Sequence, residues 1–110
     1  MYTRGNGVMT VEAQRVREAA EVQLEYLEKL GEELTRRGMQ VRLVLPPDRV
    51  PSLYVVNPKA RALEEHIYAG GSSDGSWWFW WSWAERISAT YDLDAAATAI
   101  VRVLARHPSA

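Results

Sequence analysis

The sequence predicts an α+β protein: a two-layer sandwich in the order α-β-β-β-β-α, with two helices on one face of a four-stranded antiparallel meander. Three observations predict it. A helical period of apolar residues runs from Val11 to Arg37. Four short apolar or alternating stretches follow between Met39 and Arg86, joined by links too short for crossover helices. A second helical period runs from Leu93 to about Arg106. One domain over residues 10–107 accommodates all of this, with residues 1–9, polar and glycine-containing, as a flexible tail.

In the first helix Thr10 is placed as N-cap, with Glu12 near the positive end of the helix dipole. Val16, Ala19, Ala20, Gln23, Leu24, Leu27, Leu30 and Leu34 share one face; Glu18, Glu21, Glu25, Glu28, Lys29, Glu32 and Arg36 lie opposite. Gly38 supplies the stop. Such a helix is about 40 Å long, so one end is expected to project, or the helix to bend near Gly31.

The first strand, MQVRLVL, sets Val41, Leu43 and Leu45 against Gln40, Arg42 and Val44. Pro46 to Pro51 form a stiff loop. Leu53 to Val56 make the second strand, closed by the Asn57-Pro58 turn, and Arg61 to Ala69 the third. After the loop GGSSDGS comes SWWFWWSW, the fourth strand, read as running on toward Arg86. Asp92 caps the second helix, whose buried face is Leu93, Ala96, Ala97, Ile100, Val101 and Leu104; His107 and Pro108 end it.

All five tryptophans and the one phenylalanine fall within SWWFWWSW. A strand turns successive side chains to opposite faces, so one core can use only half of them. Parity leaves open which half is inward. The larger set, Trp77, Phe79, Trp81 and Trp83, is assigned to the core with Val41, Leu43 and Leu45. The other face then carries Val44, Tyr54, Val56, Tyr68, Trp78 and Trp80, with Arg42, Glu64 and His66 among them. That is more apolar surface than the few hundred Å² a monomer usually leaves exposed. A cover is expected. The first choice is a second copy, making a homodimer; the first helix or tail, a heterologous protein or a small ligand are the others. The expected interface or ligand-binding residues are Tyr54, Val56, His66, Tyr68, Trp78 and Trp80.

Composition narrows function by exclusion. A net charge of −1 lacks the basic surface a general nucleic-acid binder needs. There is no cysteine, which removes disulfides, thiolate catalysis and cysteine metal sites. With two histidines besides, neither a metal site nor a cofactor is expected. No apolar run is long enough for a membrane span and the N-terminus has no apolar core of a signal peptide, so a cytoplasmic address is expected. Eleven of 13 basic residues are arginine, as expected of a GC-rich, bacterial coding genome.

No catalytic residue is assigned. His66 is read as a strand histidine hydrogen-bonded at an interface, and Glu64 and Glu65, adjacent on a strand, point apart and cannot share a proton. Ser72, Ser73 and Asp74 sit in a loop that matches no phosphate-binding motif and leads to a strand. The order of elements from Val11 to Arg106 resembles the secretion-chaperone type of α+β domain, small, acidic, cytoplasmic and dimeric. That resemblance implies a protein that holds another protein on exposed apolar surface. The function expected is a homodimeric, non-catalytic interaction module: an adaptor, chaperone-like or regulatory subunit. The alternative is a small-molecule binding protein or small enzyme with the aromatic face as its pocket.

Overall fold

The computed structural model describes residues 10–105. Helix α1 (Val11–Arg36) is followed by strands β1 (Gln40–Val44), β2 (Ser52–Asn57), β3 (Ala60–Gly71), β4 (Trp77–Trp81) and β5 (Arg86–Ala89), then helix α2 (Leu93–Leu104). The strands form one antiparallel meander in the order β1-β2-β3-β4-β5. The α+β class therefore holds, with five strands where four were expected. The flexible tail placed at residues 1–9, and the stop at His107 and Pro108, lie outside the described residues; α2 itself ends at Leu104 with Ala105 as its C-cap, short of the expected Arg106.

The extra strand comes from a hairpin inside the supposed fourth strand. Trp81 N–H donates to the Glu85 carbonyl at 2.8 Å, and Ala84 N–H to the Trp81 carbonyl at 3.0 Å. Ser82, Trp83 and Ala84 are thus a three-residue hairpin loop, and Ala84 takes the left-handed φ of 67° that such a loop needs at its last position. Trp83 consequently leaves the core assigned to it. It is half exposed, stacks on Trp81 with centroids 4.8 Å apart and planes at 6°, and donates Nε1–H to Glu85 Oε1 at 2.7 Å.

The helix ends follow their local chemistry. Thr10 Oγ1 accepts from Ala13 N–H at 3.0 Å, and Asp92 Oδ1 accepts from Ala95 N–H at 3.0 Å, each satisfying a donor of a first turn. At the end of α1, Gly38 N–H reaches the Thr35 carbonyl and Met39 N–H the Leu34 carbonyl, both at 3.0 Å. This paired arrangement requires a left-handed residue between them, which is Gly38 at φ 94°, and it brings Met39 onto Leu34 in the core. Arg37 then ties the helices together. It donates to Glu33 at 2.8 Å, to Thr98 Oγ1 at 2.9 Å and to Asp94 Oδ1 at 2.6 Å. At the far end of α2, buried Asn57 donates Nδ2–H to the Leu104 carbonyl at 2.7 Å and accepts from Lys59 N–H at 2.9 Å, so one side chain shapes the β2–β3 turn and caps a helix C-terminus.

One core lies between the helices and the sheet. Leu27, Leu30 and Leu34 of α1 and Ala96, Ala97, Ile100 and Leu104 of α2 pack on Leu53, Val55, Ile67, Ala69, Phe79 and Trp81, with Val41, Leu43 and Trp77 beside them. Strand parity thus puts Trp77, Phe79 and Trp81 inward as expected. Leu45 does not join them: β1 ends at Val44, and Leu45 is exposed in the loop beyond it. Nor does the whole apolar stripe of α1 reach the sheet. Residues 11–18 are all exposed, Val16 among them, because the helix, about 39 Å long, outruns the strands beneath it.

Candidate functional site

With both helices on one face, no element among the described residues stands over the other. Its side chains are fixed by the register. Arg42 is opposite Tyr54, and Tyr54 opposite His66; Val56 is opposite Glu64; Tyr68 is opposite Trp80, and Gly70 opposite Trp78; Trp80 is opposite Arg86. All six residues singled out in the sequence, Tyr54, Val56, His66, Tyr68, Trp78 and Trp80, therefore share this open face. They form a diagonal band from the start of β3 to the β3–β4 hairpin. The five other than Val56 are half-buried, while Val56 is buried by its neighbours on the same face.

The hairpin end of the band is an arginine–tryptophan cluster. The Arg86 guanidinium carbon lies 4.4 Å from the Trp78 ring centroid and 5.5 Å from that of Trp80, a cation over two ring faces. Arg86 also donates to Ser72 Oγ at 3.2 Å. Trp80 donates Nε1–H to the Gly70 carbonyl at 3.3 Å; a Cβ at Gly70 would stand 3.3 Å from that nitrogen, so a larger residue there would make the ring give by a few tenths of an ångström. Trp78 Nε1–H donates to Ser76 Oγ at 2.9 Å, and Ser76 Oγ donates on to Asp74 Oδ1 at 2.6 Å. The Ser76 hydroxyl first, and its backbone N–H second, hold the Asp74 carboxyl below the usual carboxylate range. The loop at residues 72–76 is thereby a bracket for Trp78, while Gly70 and Gly71, expected in that loop, belong to β3.

The β1 end is more polar. Arg42 lies 5.4 Å from the Tyr54 ring centroid, and the Tyr54 and His66 rings are 5.2 Å apart. Partial burial, and then a hydrogen bond to Glu64, raise the Tyr54 phenol above its ordinary pKa. A cavity of about 350 Å³ opens between Gln40, Arg42, Tyr54, Arg61 and Glu64, and another of about 430 Å³ beside Arg49, Ser52, His66 and Tyr68.

Ser52 and His66 are 2.9 Å apart, Oγ to Nδ1. Ser52 is buried, and among the described hydrogen bonds no carboxylate orients the ring, so the pair lacks the exposed nucleophile and the third member that acyl transfer uses. Among the described residues no three His, Asp or Glu side chains gather as a metal site. Likewise, no described helix is long and apolar enough to cross a membrane. Sequence reasoning missed Arg86, Ser76 and Asp74 as parts of this face. Their roles depend on the Trp81–Glu85 hairpin, which returns Arg86 alongside Trp80. The chain matches no family model, no curated protein and no solved structure.

Proposed function

We propose that the chain is a non-catalytic interaction module, a cytoplasmic adaptor, chaperone-like or regulatory subunit, that holds another polypeptide on the open face of its sheet. The observation that supports this is the band of half-buried Tyr54, Tyr68, Trp78 and Trp80, flanked by Arg42 and Arg86. Tyrosine, tryptophan and arginine are the residue types that carry most binding energy at protein interfaces. Here each indole of the band already has a polar or cationic neighbour, which keeps the free face wettable. A face of that kind suits a partner that docks and leaves more than the apolar core of a permanent homodimer. A second copy, the occupant expected from the sequence, is the other polypeptide this face would take.

Indole N–H resonances test the reading. Capture from native lysate should yield a partner whose titration shifts the Nε1–H signals of Trp78 and Trp80 and leaves Trp77 and Trp81 in place. Folded Trp80→Glu should lose that partner, because an unpaired carboxylate in a dry interface costs several kcal/mol. His66→Ala should keep it. Retention of the partner by folded Trp80→Glu would sink the proposal. The cavity of about 430 Å³ beside His66 favours a second reading, a small-ligand site. Loss of activity in His66→Ala beside a fully active Trp80→Glu would select it.

A further inference from the structure

The charges of this protein are divided between its two layers. Helix α1 carries seven glutamates against four basic residues, and Glu18, Glu21, Glu25, Glu28 and Glu32 are exposed on its outer side. The open side of the sheet is the reverse. Arg42 stands beside Tyr54, and Arg86 lies over Trp78. Arg61 donates Nη1–H to Gln40 Oε1 at 3.3 Å and lines the cavity of about 350 Å³ with Tyr54. Arg49 lines the cavity of about 430 Å³ with His66 and Tyr68. Against these four arginines that side sets Glu64 and, at the hairpin, Asp74, whose carboxyl already accepts from Ser76 twice. All four arginines are exposed, and among the described residues none has a carboxylate at ion-pair distance. On the helical side, by contrast, Arg36 and Arg37 are paired with Glu33 and Lys29 with Glu25.

We propose that the polypeptide held on the open face is an acidic one, docking through an extended segment; this rests on the polypeptide reading above and names the class of partner. Its Asp and Glu side chains reach Arg42, Arg49, Arg61 and Arg86, while its apolar side chains lie over Tyr54, Tyr68 and Trp80. Charge complementarity names this occupant. An unpaired guanidinium is a planar fork of donors that fits a carboxylate with two parallel hydrogen bonds. Arg42 and Arg86 stand on the two edge strands, β1 and β5, about 19 Å apart at the usual strand spacing, the reach of about six extended residues. A second copy fits less well. Face to face it sets arginines against arginines. With its acidic helix layer on the face, the contact joins two different surfaces and runs on from copy to copy into rings or filaments. Single-stranded nucleic acid binds by stacking bases on open ring faces, and here Arg86 already lies over the rings of Trp78 and Trp80.

Selection of random displayed peptides on the immobilised full chain tests this. Recovered sequences should be enriched in Asp and Glu, and a labelled member should bind less tightly as salt rises from about 0.05 M to about 0.5 M. Arg42→Glu and Arg61→Glu, at exposed positions and checked for fold by circular dichroism, should each weaken that peptide on the order of tenfold, as loss of one charge-assisted hydrogen bond does. Arg15→Glu, the same charge change on α1, should leave the affinity in place. Acidic sequences that bind Arg42→Glu and Arg61→Glu as tightly as the wild type overturn the inference. So do neutral or basic sequences whose binding Trp80→Glu abolishes, but these leave the polypeptide reading standing. Recovery of no sequence overturns the inference as well, and tight binding of an oligothymidylate instead overturns the polypeptide reading with it.

Discussion

The guanidinium of Arg86 stands 4.4 Å from the centroid of the Trp78 ring, on the face of the sheet that the helices leave open. This contact lets an open sheet face carry two neighbouring indoles. The cation takes up the ring's negative face, and its remaining N–H groups stay wet or reach Ser72.

Arg86→Ala should therefore lower stability modestly, by about 0.5–1 kcal/mol, the usual worth of an exposed cation–π contact. It should also raise the acrylamide quenching of tryptophan fluorescence. Urea denaturation and a quenching titration on the same sample check both. Unchanged quenching would mean that Arg86 does not shield the indoles in solution.

Phe79 is fully buried between sheet and helices, whereas Trp80, its neighbour in sequence, lies half-buried on the other side. Phe79→Ala should destabilise by roughly 3–5 kcal/mol, and Trp80→Ala by clearly less. Melts under conditions where both are monomeric give the ranking. The reverse order would exchange the two faces.

Ala84 holds a left-handed backbone at φ 67° without the freedom of glycine. Such a conformation costs an L-residue about 1–2 kcal/mol, part of which glycine would give back as unfolded-state entropy. Ala84→Gly should thus stabilise the protein by about 0.5–1 kcal/mol, read as an increased urea midpoint with unchanged slope. A lower midpoint would contradict the three-residue hairpin loop.

Acid should loosen two places first. Ser76 holds the Asp74 carboxyl below its ordinary range, and hydrogen bonds from Arg36, then Arg37, do the same for Glu33. A carboxyl whose pKa is lower in the folded chain stabilises the fold above its unfolded value, and that contribution fades as pH falls through the folded value. The loss is expected below about pH 4, the ordinary carboxylate range. Urea midpoints between neutral pH and pH 3 should fall, and fall less steeply in an Asp74→Asn, Glu33→Gln variant. Parallel pH profiles for variant and wild type would refute the assignment.

Both helices, their capping residues Thr10 and Asp92, the stop at Gly38 and the sharing of faces along β1 to β4 were legible in the sequence. Each depends on local geometry: a side-chain period of 3.6 or 2, or a hydrogen bond three residues away. For the same reason Tyr54, Val56, His66, Tyr68, Trp78 and Trp80 share one side of the sheet. The hairpin at Ser82–Ala84 was not legible, because it contains neither glycine, proline nor asparagine, and Ala84 adopts its left-handed φ with Trp83 stacked on Trp81.

Sequence by itself therefore determined which side chains travel together, since covalent geometry alone fixes which neighbours share a face. Tertiary structure decided where each element stops and what lies across from it. It ended β1 before Leu45, left the first turns of α1 beyond the sheet, and set Arg86 over Trp78. It also joined Arg37 to Asp94 and Asn57 to Leu104, residues 57 and 47 positions apart. Such pairings are fixed by the packing of one apolar core, in which every element competes for the same buried volume, and no local pattern encodes the outcome.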